Sequence, residues 1–232
     1  MDNVQLVSQD HTLPIENNDD FLPTGQYVKH SILLNGGCKR CLIVGGSGCG
    51  KTNVMISLLK HPNGLRFANV YIYSKTLYQP KYDYLRNLLK PIKGLGYNEY
   101  DEGAKILSPN EAKENSVIIF DDIVCDSQSI IRDYFCFGRH KSIDCFYLCQ
   151  TYSSIPKQLV RDNANLIVAF QQDSTNLKHI YDDHVNVDMS YEKFKALCSH
   201  CWLTKYGFLV IDKDSDKSLG RYRKGFDCYF KL

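Results

Sequence analysis

The chain has 232 residues, 44% of them hydrophobic and 23% charged, with 7 prolines and a formal net charge of +2. That length and balance provide for one buried core with at most a small annex, and they exclude a disordered or collagen-like chain. With no apolar run near the ~20 residues a bilayer requires, and no basic and apolar leader at Met1-Asp-Asn-Val-Gln, a soluble intracellular protein is expected.

Residues 1–26 lack periodicity and are punctuated by Asp, Asn, Pro and Gly, so they read as an acidic N-terminal arm. Residues 1–28 hold five acids (Asp2, Asp10, Glu16, Asp19, Asp20) and no Lys or Arg, which leaves 28 basic against 21 acidic residues, a net +7, in the remainder. Such an excess permits a polyanionic partner without requiring one, because solvated lysines give the same balance. The core is expected over 27–212. Asn35-Gly36 after Ser31 to Leu34 predicts a short hairpin ahead of the first long element.

Apolar runs then predict strands at Cys41 to Val44, Val70 to Tyr73, Val117 to Phe120, Cys145 to Cys149, Leu166 to Phe170 and Phe208 to Ile211. They are continuously rather than alternately apolar, as in strands buried on both faces. Helices are predicted between them at Lys51 to Lys60, Lys81 to Lys90, Ser129 to Phe137, Lys157 to Asn163, Thr175 to Asp183 and Tyr191 to Cys201. This alternation predicts an α/β fold with a mostly parallel sheet flanked by helices. Lys90 to Pro109, with three glycines and the acid-rich Asn98 to Glu102, is expected to be a long surface insertion. Residues 213–232 form a basic and aromatic C-terminal tail, a composition suited equally to phosphate contact and to a solvated terminus.

Gly45-Gly46-Ser47-Gly48-Cys49-Gly50-Lys51-Thr52 fits G-x-x-x-x-G-K-[ST] between a strand and a helix. Glycines let successive backbone N–H groups turn inward onto phosphate oxygens, and the following helix adds its positive N-terminal end. Lys51 is then expected to reach the outer phosphates and Thr52 to offer its hydroxyl to Mg²⁺. A chance Gly-rich turn needs neither flank.

Val117 to Phe120 runs into Asp121-Asp122. An Mg²⁺ beside a triphosphate needs a carboxylate held at a strand end, which assigns Asp121 to the metal through water and leaves Asp122 to orient or deprotonate the attacking water. Alone, the two acids could simply open the polar loop to Ser129. The Cys145 to Cys149 strand ends at Gln150, a carboxamide placed to sense the terminal phosphate or hold that water. The order of these motifs favours the ATPase branch in which the acidic strand is not the immediate neighbour of the first. Arg139 and, second, Arg161 are candidates for a cation supplied across a subunit interface, although most helical arginines make surface ion pairs.

The run from Gly138 to Tyr152, with Ile155-Pro-Lys and Asn163 to Val168, resembles genome-packaging ATPases of the FtsK/HerA superfamily in poxvirus-like DNA viruses and in Polinton (Maverick) elements. Cys198 to Trp202 and Tyr206 to Asp212 look especially like the Polinton versions, and the similarity covers roughly 37–212. The resemblance implies a three-layer P-loop NTPase with a RecA-like ASCE core. It implies a motor that uses ATP and Mg²⁺, assembles into a hexameric or pentameric ring, and pumps double-stranded DNA into a capsid with capsid or portal proteins as partners. The host nucleus, a cytoplasmic virus factory or the virion itself would be its place of action. Lys51, Thr52, Asp121, Asp122, Gln150 and Arg139 take the loop, metal, base, sensor and arginine-finger roles by that similarity. Many relatives have Asp-Glu where this chain has Asp121-Asp122, so the position of the base is a departure.

Other readings remain. A helicase-type or conjugation-type pump has the same chemistry but needs more chain, and a nucleotide-gated switch or a small-molecule kinase needs no DNA. The guanine-reading Asn-Lys-x-Asp pattern does not occur. Ten cysteines would suit a disulfide scaffold only in a short secreted chain, so reduced thiols are expected. Cys38-x-x-Cys41 and Cys198-x-x-Cys201 are too far apart for a compact zinc ribbon, and core packing explains their thiols more simply. His179 and His184, five apart, miss the i, i+4 spacing of helical metal ligands. Lys141, Lys157 and Lys178 are possible DNA contacts.

Overall fold

The structure, a computed structural model, describes residues 29–34, 36–101, 103–123 and 128–232. The acidic arm, Tyr27 and Asn35 lie outside the described residues. Strands β1 (Arg40–Val44), β2 (Asn69–Ser74), β3 (Gly96–Tyr100), β4 (Ser116–Asp121), β5 (Asp144–Cys149), β6 (Leu166–Ala169), β7 (Leu209–Asp212), β8 (Tyr222–Lys224) and β9 (Cys228–Tyr229) form one sheet in the order β3-β2-β4-β5-β1-β6-β7-β8-β9. The six strands β1 to β6 run parallel and the last three antiparallel. Strand β5 therefore separates the acidic strand β4 from β1, as the motif order predicts.

Helices α1 (Lys51–Lys60) and α2 (Pro80–Leu89) cover one face, and α3 (Gln128–Phe137), α4 (Ser174–His184) and α5 (Tyr191–Cys201) the other. Side chains alternate between the faces along each strand. On β1, Cys41 and Ile43 meet Met55, Leu58 and Leu59 of α1, while Leu42 and Val44 face the cluster containing Tyr134 and Phe194. Each fully buried Leu, Ile or Phe contributes about 1.5–3 kcal/mol, and both faces of the central strands are sealed in this way. The two Cys-x-x-Cys pairs contribute to opposite faces: Cys41 packs under α1, whereas Cys198 and Cys201 belong to the α3–α5 cluster.

Three expectations are corrected. Ile32–Leu34 is a single turn of 3₁₀ helix rather than a hairpin strand, closed by the Leu34 N–H on Ser31 O at 2.9 Å. The 90–109 segment contains β3, a parallel edge strand, rather than being all loop. Its outer edge tolerates the polar Asn98 and Glu99, so the strand carries no hydrophobic signature. Arg86 Nε donates to Glu99 Oε2 at 2.7 Å, and the Tyr100 ring stacks on Tyr73 with centroids 4.7 Å apart. Lys157 to Asn163 is not an α-helix. Gln158 (ψ 130°) and Leu159 (φ 69°) break it, and i to i+5 bonds from Arg161 N to Pro156 O and from Asp162 N to Lys157 O close a wide turn instead.

The last twenty residues carry β8 and β9. Arg223 is buried there, donating to Leu33 O at 2.8 Å and Gly220 O at 2.6 Å. Arg221 reaches Asp188 at 3.1 Å. Both arginines are thus tied into the fold.

Candidate nucleotide site

The loop 45–50 leaves the C-terminal end of β1 and enters α1 through Gly50, whose φ of 115° is open to glycine and strained for any side chain. A Cβ on Gly45 would lie 2.6 Å from Phe170 Cβ and 2.7 Å from Cys49 Sγ, so the first glycine is required by close packing. Gly46, Ser47 and Gly48 are exposed at the rim. Lys51 Nζ donates to Gly45 O at 2.6 Å and Gly46 O at 3.1 Å, which holds the ammonium over the loop.

Parallel pairing brings the ends of β4 and β5 alongside the loop. Gly45 N donates to Cys149 O at 3.2 Å, and Asp122 N to Leu148 O at 3.2 Å. Thr52 Oγ1 donates to Asp121 Oδ2 at 3.3 Å, and the Tyr82 hydroxyl, from α2, donates to the same oxygen. Asp121 is 5% exposed. Burial pushes its carboxyl upward in pKa, against the lowering effect of the Tyr82 and Thr52 hydrogen bonds and the Lys51 charge. Asp122, with a left-handed φ of 54°, turns outward and accepts from Gln150 Nε2 at 3.1 Å.

The structure therefore brings Lys51, Thr52, Asp121, Asp122 and Gln150 together from three segments, the start of α1 and the ends of β4 and β5. A hydroxyl and a carboxylate converging on one point are the hard oxygen donors that suit Mg²⁺. Sequence reasoning missed Tyr82, a residue that follows a helical apolar pattern like any core tyrosine.

The two arginines lie elsewhere. Arg139 is exposed on the 3₁₀ turn Gly138–Lys141, which leads into the start of β5. Because β5 is parallel to β1, Arg139 stands at the end of the sheet opposite the phosphate loop of its own chain. Arg161 is 8% exposed and bound within the fold. Its Nη1 donates to Asp183 Oδ2 at 2.7 Å, and its guanidinium lies 5.1 Å from the centre of the Tyr152 ring, so it presents no free cation to a neighbour.

Of the lysines considered for DNA, Lys141 donates to Asn110 O at 2.7 Å, Lys157 pairs with Asp183 at 3.3 Å, and Lys178 with Asp182. His184 follows Asp183 at the C-terminal end of α4, with Nε2 2.8 Å from the Tyr152 hydroxyl.

Residues 29–200 match the family model described as Poxvirus A32 protein. The chain belongs to the poxvirus A32 protein family. No curated protein sequence matches this A32-family chain at a significant level. Among solved structures it is similar to the genome packaging NTPase B204 from Sulfolobus turreted icosahedral virus 2 in complex with sulfate. That likeness has 16% identity and a TM-score of 0.55, over 85% of this chain and 100% of that one. The AMPPCP complex of the same NTPase gives 16% identity and 0.53, covering 84% and 98%. B204 described as the DNA-packaging ATPase of Sulfolobus turreted icosahedral virus gives 17% and 0.53, covering 83% and 97%. At these identities the likeness establishes the fold of the A32-family chain, a P-loop α/β fold.

Among the described residues, no helix is long and apolar enough to cross a membrane.

Proposed function

We propose that this chain is the ATP-hydrolysing motor that drives double-stranded DNA into a viral capsid. The observation that carries the hydrolytic reading is the meeting of Lys51, Thr52, Asp121, Asp122 and Gln150 at one end of the sheet, with β5 between β1 and β4. Membership of the A32 family and the fold shared with packaging ATPases support the DNA-packaging task.

The backbone N–H groups of the loop and the N-terminus of α1 receive the phosphates of ATP, and Lys51 neutralises the outer ones. Thr52 and Asp121 would hold Mg²⁺, which supplies charge neutralisation on the β- and γ-phosphates. Asp122 accepts a proton from the attacking water, and Gln150 orients that carboxylate and the water together. Arg139, remote from its own loop, acts on the site of an adjacent copy in a ring, where an added cation raises turnover by about 10³ to 10⁵. DNA is held through its backbone, since a motor that travels along any genome cannot depend on base identity.

The test is steady-state ATP hydrolysis with and without double-stranded DNA, with oligomer mass recorded alongside. Stimulation by DNA, abolition by Lys51→Ala, and loss of turnover but not of ATP binding in Arg139→Ala are expected. Slow, monomeric turnover indifferent to DNA would sink the motor reading.

A further inference from the structure

The phosphate loop accounts for the polyphosphate half of a nucleotide and leaves the nucleoside half unassigned. Two clefts adjoin the loop on the side of β6 and β7. One, of about 610 Å³, is bounded by Gly46 and Cys49, by Gln171 to Asp173 beyond β6, and by the turn from Trp202 to Gly207. The other, of about 800 Å³, begins at Gly50 and Asn53 and extends to Phe208 and Phe226. Phe170 and Tyr206 line both. On the far side of the loop stand Thr52 and Tyr82, both bonded to Asp121. A nucleoside whose phosphates occupy the loop leaves it over Cys49 or over Asn53, and Tyr206 borders either course.

Phe170 is buried beneath the loop, but Tyr206 is 58% exposed. Its φ of 66° places a bulky aromatic residue in the left-handed region, where such residues are uncommon and cluster at functional sites. The turn that imposes this conformation is tied to the end of β6 at its start and closed on itself at its end. Trp202 Nε1 donates to Ala169 O at 3.0 Å, and Gly207 N to Thr204 O at 2.9 Å. Lys205 Nζ stands 5.0 Å from the centre of the Tyr206 ring. A strained, solvent-open ring adds little to the core, whereas a flat aromatic face at the mouth of a phosphate site suits the π-face of a base.

We propose that Tyr206 is the stacking platform for the purine base of the nucleotide whose phosphates the loop holds. The Trp202 to Gly207 turn forms the wall of that base site. This rests on the ATP-binding reading above and adds to it the recognition of the nucleoside.

The test is calorimetric titration of the full chain with ATP and, separately, with inorganic tripolyphosphate, alongside the emission of Trp202, the one tryptophan of the sequence. Tyr206→Asn removes the ring while retaining a residue that tolerates left-handed backbone, and Tyr206→Phe retains the ring. Tyr206→Asn should weaken ATP about 10- to 100-fold and change tripolyphosphate affinity by less than about threefold, with Tyr206→Phe binding ATP as the wild type does. Trp202 emission should respond to ATP and not to tripolyphosphate. Unchanged ATP affinity in Tyr206→Asn overturns the proposal, and so does an equal loss for both ligands, which would mean that Tyr206 acts on the loop itself. A wild-type chain that binds tripolyphosphate as tightly as ATP also overturns it while leaving the phosphate site standing. If the wild type binds neither ligand, the ATP-binding reading fails, and the platform with it.

Discussion

The hydroxyl of Tyr82, carried by α2, donates to Asp121 Oδ2, the oxygen that Thr52 Oγ1 reaches from α1 at 3.3 Å. Two donors from different helices thus orient one buried carboxylate at the end of β4. Burial and the adjacent Asp121 charge push the Tyr82 phenol well above its ordinary pKa, so it remains a donor at every working pH. Tyr82→Phe leaves the ring packed and removes one donor from a buried acceptor, which should cost about 1–3 kcal/mol of stability. It should also raise the Mg²⁺ concentration for half-maximal ATP turnover several-fold. Urea denaturation and a Mg²⁺ titration of turnover measure the two effects, and an unmoved Mg²⁺ midpoint would leave Thr52 as sufficient orienter.

Asp122 and Gln150 separate binding from chemistry. Asp122→Asn should preserve the left-handed backbone, since Asn tolerates φ near the observed 54°, while removing the base. Turnover is expected to fall about 10²- to 10⁴-fold, with ATP affinity changed by no more than about threefold. Gln150→Ala should fall about 10²-fold through loss of the 3.1 Å bond that orients Asp122. A parallel fall in ATP affinity for either variant would assign these residues to binding.

The two arginines should fail in different ways. Arg161→Ala strips Asp183 of its closest ion pair in a buried setting and is expected to lower stability by about 3–5 kcal/mol, seen as a reduced urea midpoint. Arg139 is exposed, so Arg139→Ala should shift stability by less than about 0.5 kcal/mol while removing turnover from the assembled protein. Equal stability for the two variants would contradict the buried placement of Arg161.

His184 gives the fold a pH dependence. Burial, with Lys213 and Arg161 nearby, lowers its pKa from 6.5 to about 3. Tyr152 has one hydroxyl proton, which goes to the acceptor-only Asp183 at 3.0 Å, so the neutral His184 donates from Nε2 to the Tyr152 oxygen. Unfolded chains bind a proton at this histidine below 6.5 and folded chains do not until about 3. Stability is therefore full above pH 6.5 and falls as pH drops toward 3, at up to about 1.4 kcal/mol per pH unit for this one group. Urea midpoints between pH 7 and 4 should flatten in His184→Gln; an unchanged slope would place the titration elsewhere.

Parts of this site were legible from spacing alone. Gly45 to Thr52 form one contiguous loop whose chemistry is local, and the ends of Val117 to Phe120 and Cys145 to Cys149 are marked by abrupt changes from apolar to polar. Tyr82 was not legible because its partner lies 39 residues away and its own pattern is that of a core helix. Strand β3 was missed because an edge strand needs hydrophobic residues on neither its outer rim nor every inner position. Arg161 looked helical and exposed because Lys157 to Arg161 is amphipathic, whereas the turn at Leu159 rotates it into the fold.

By itself the sequence determined the phosphate loop, the parallel α/β class and the acidic and carboxamide strand ends, because each depends on neighbours in the chain and on the period of apolar residues. Only the tertiary structure decided which donors meet Asp121, that Gln150 binds Asp122, that Arg139 and Arg161 occupy opposite kinds of place, and that Tyr206 stands at the rim of the loop. Those relations join segments far apart in sequence, and they are set by strand order and by the packing of helices on the two faces of the sheet.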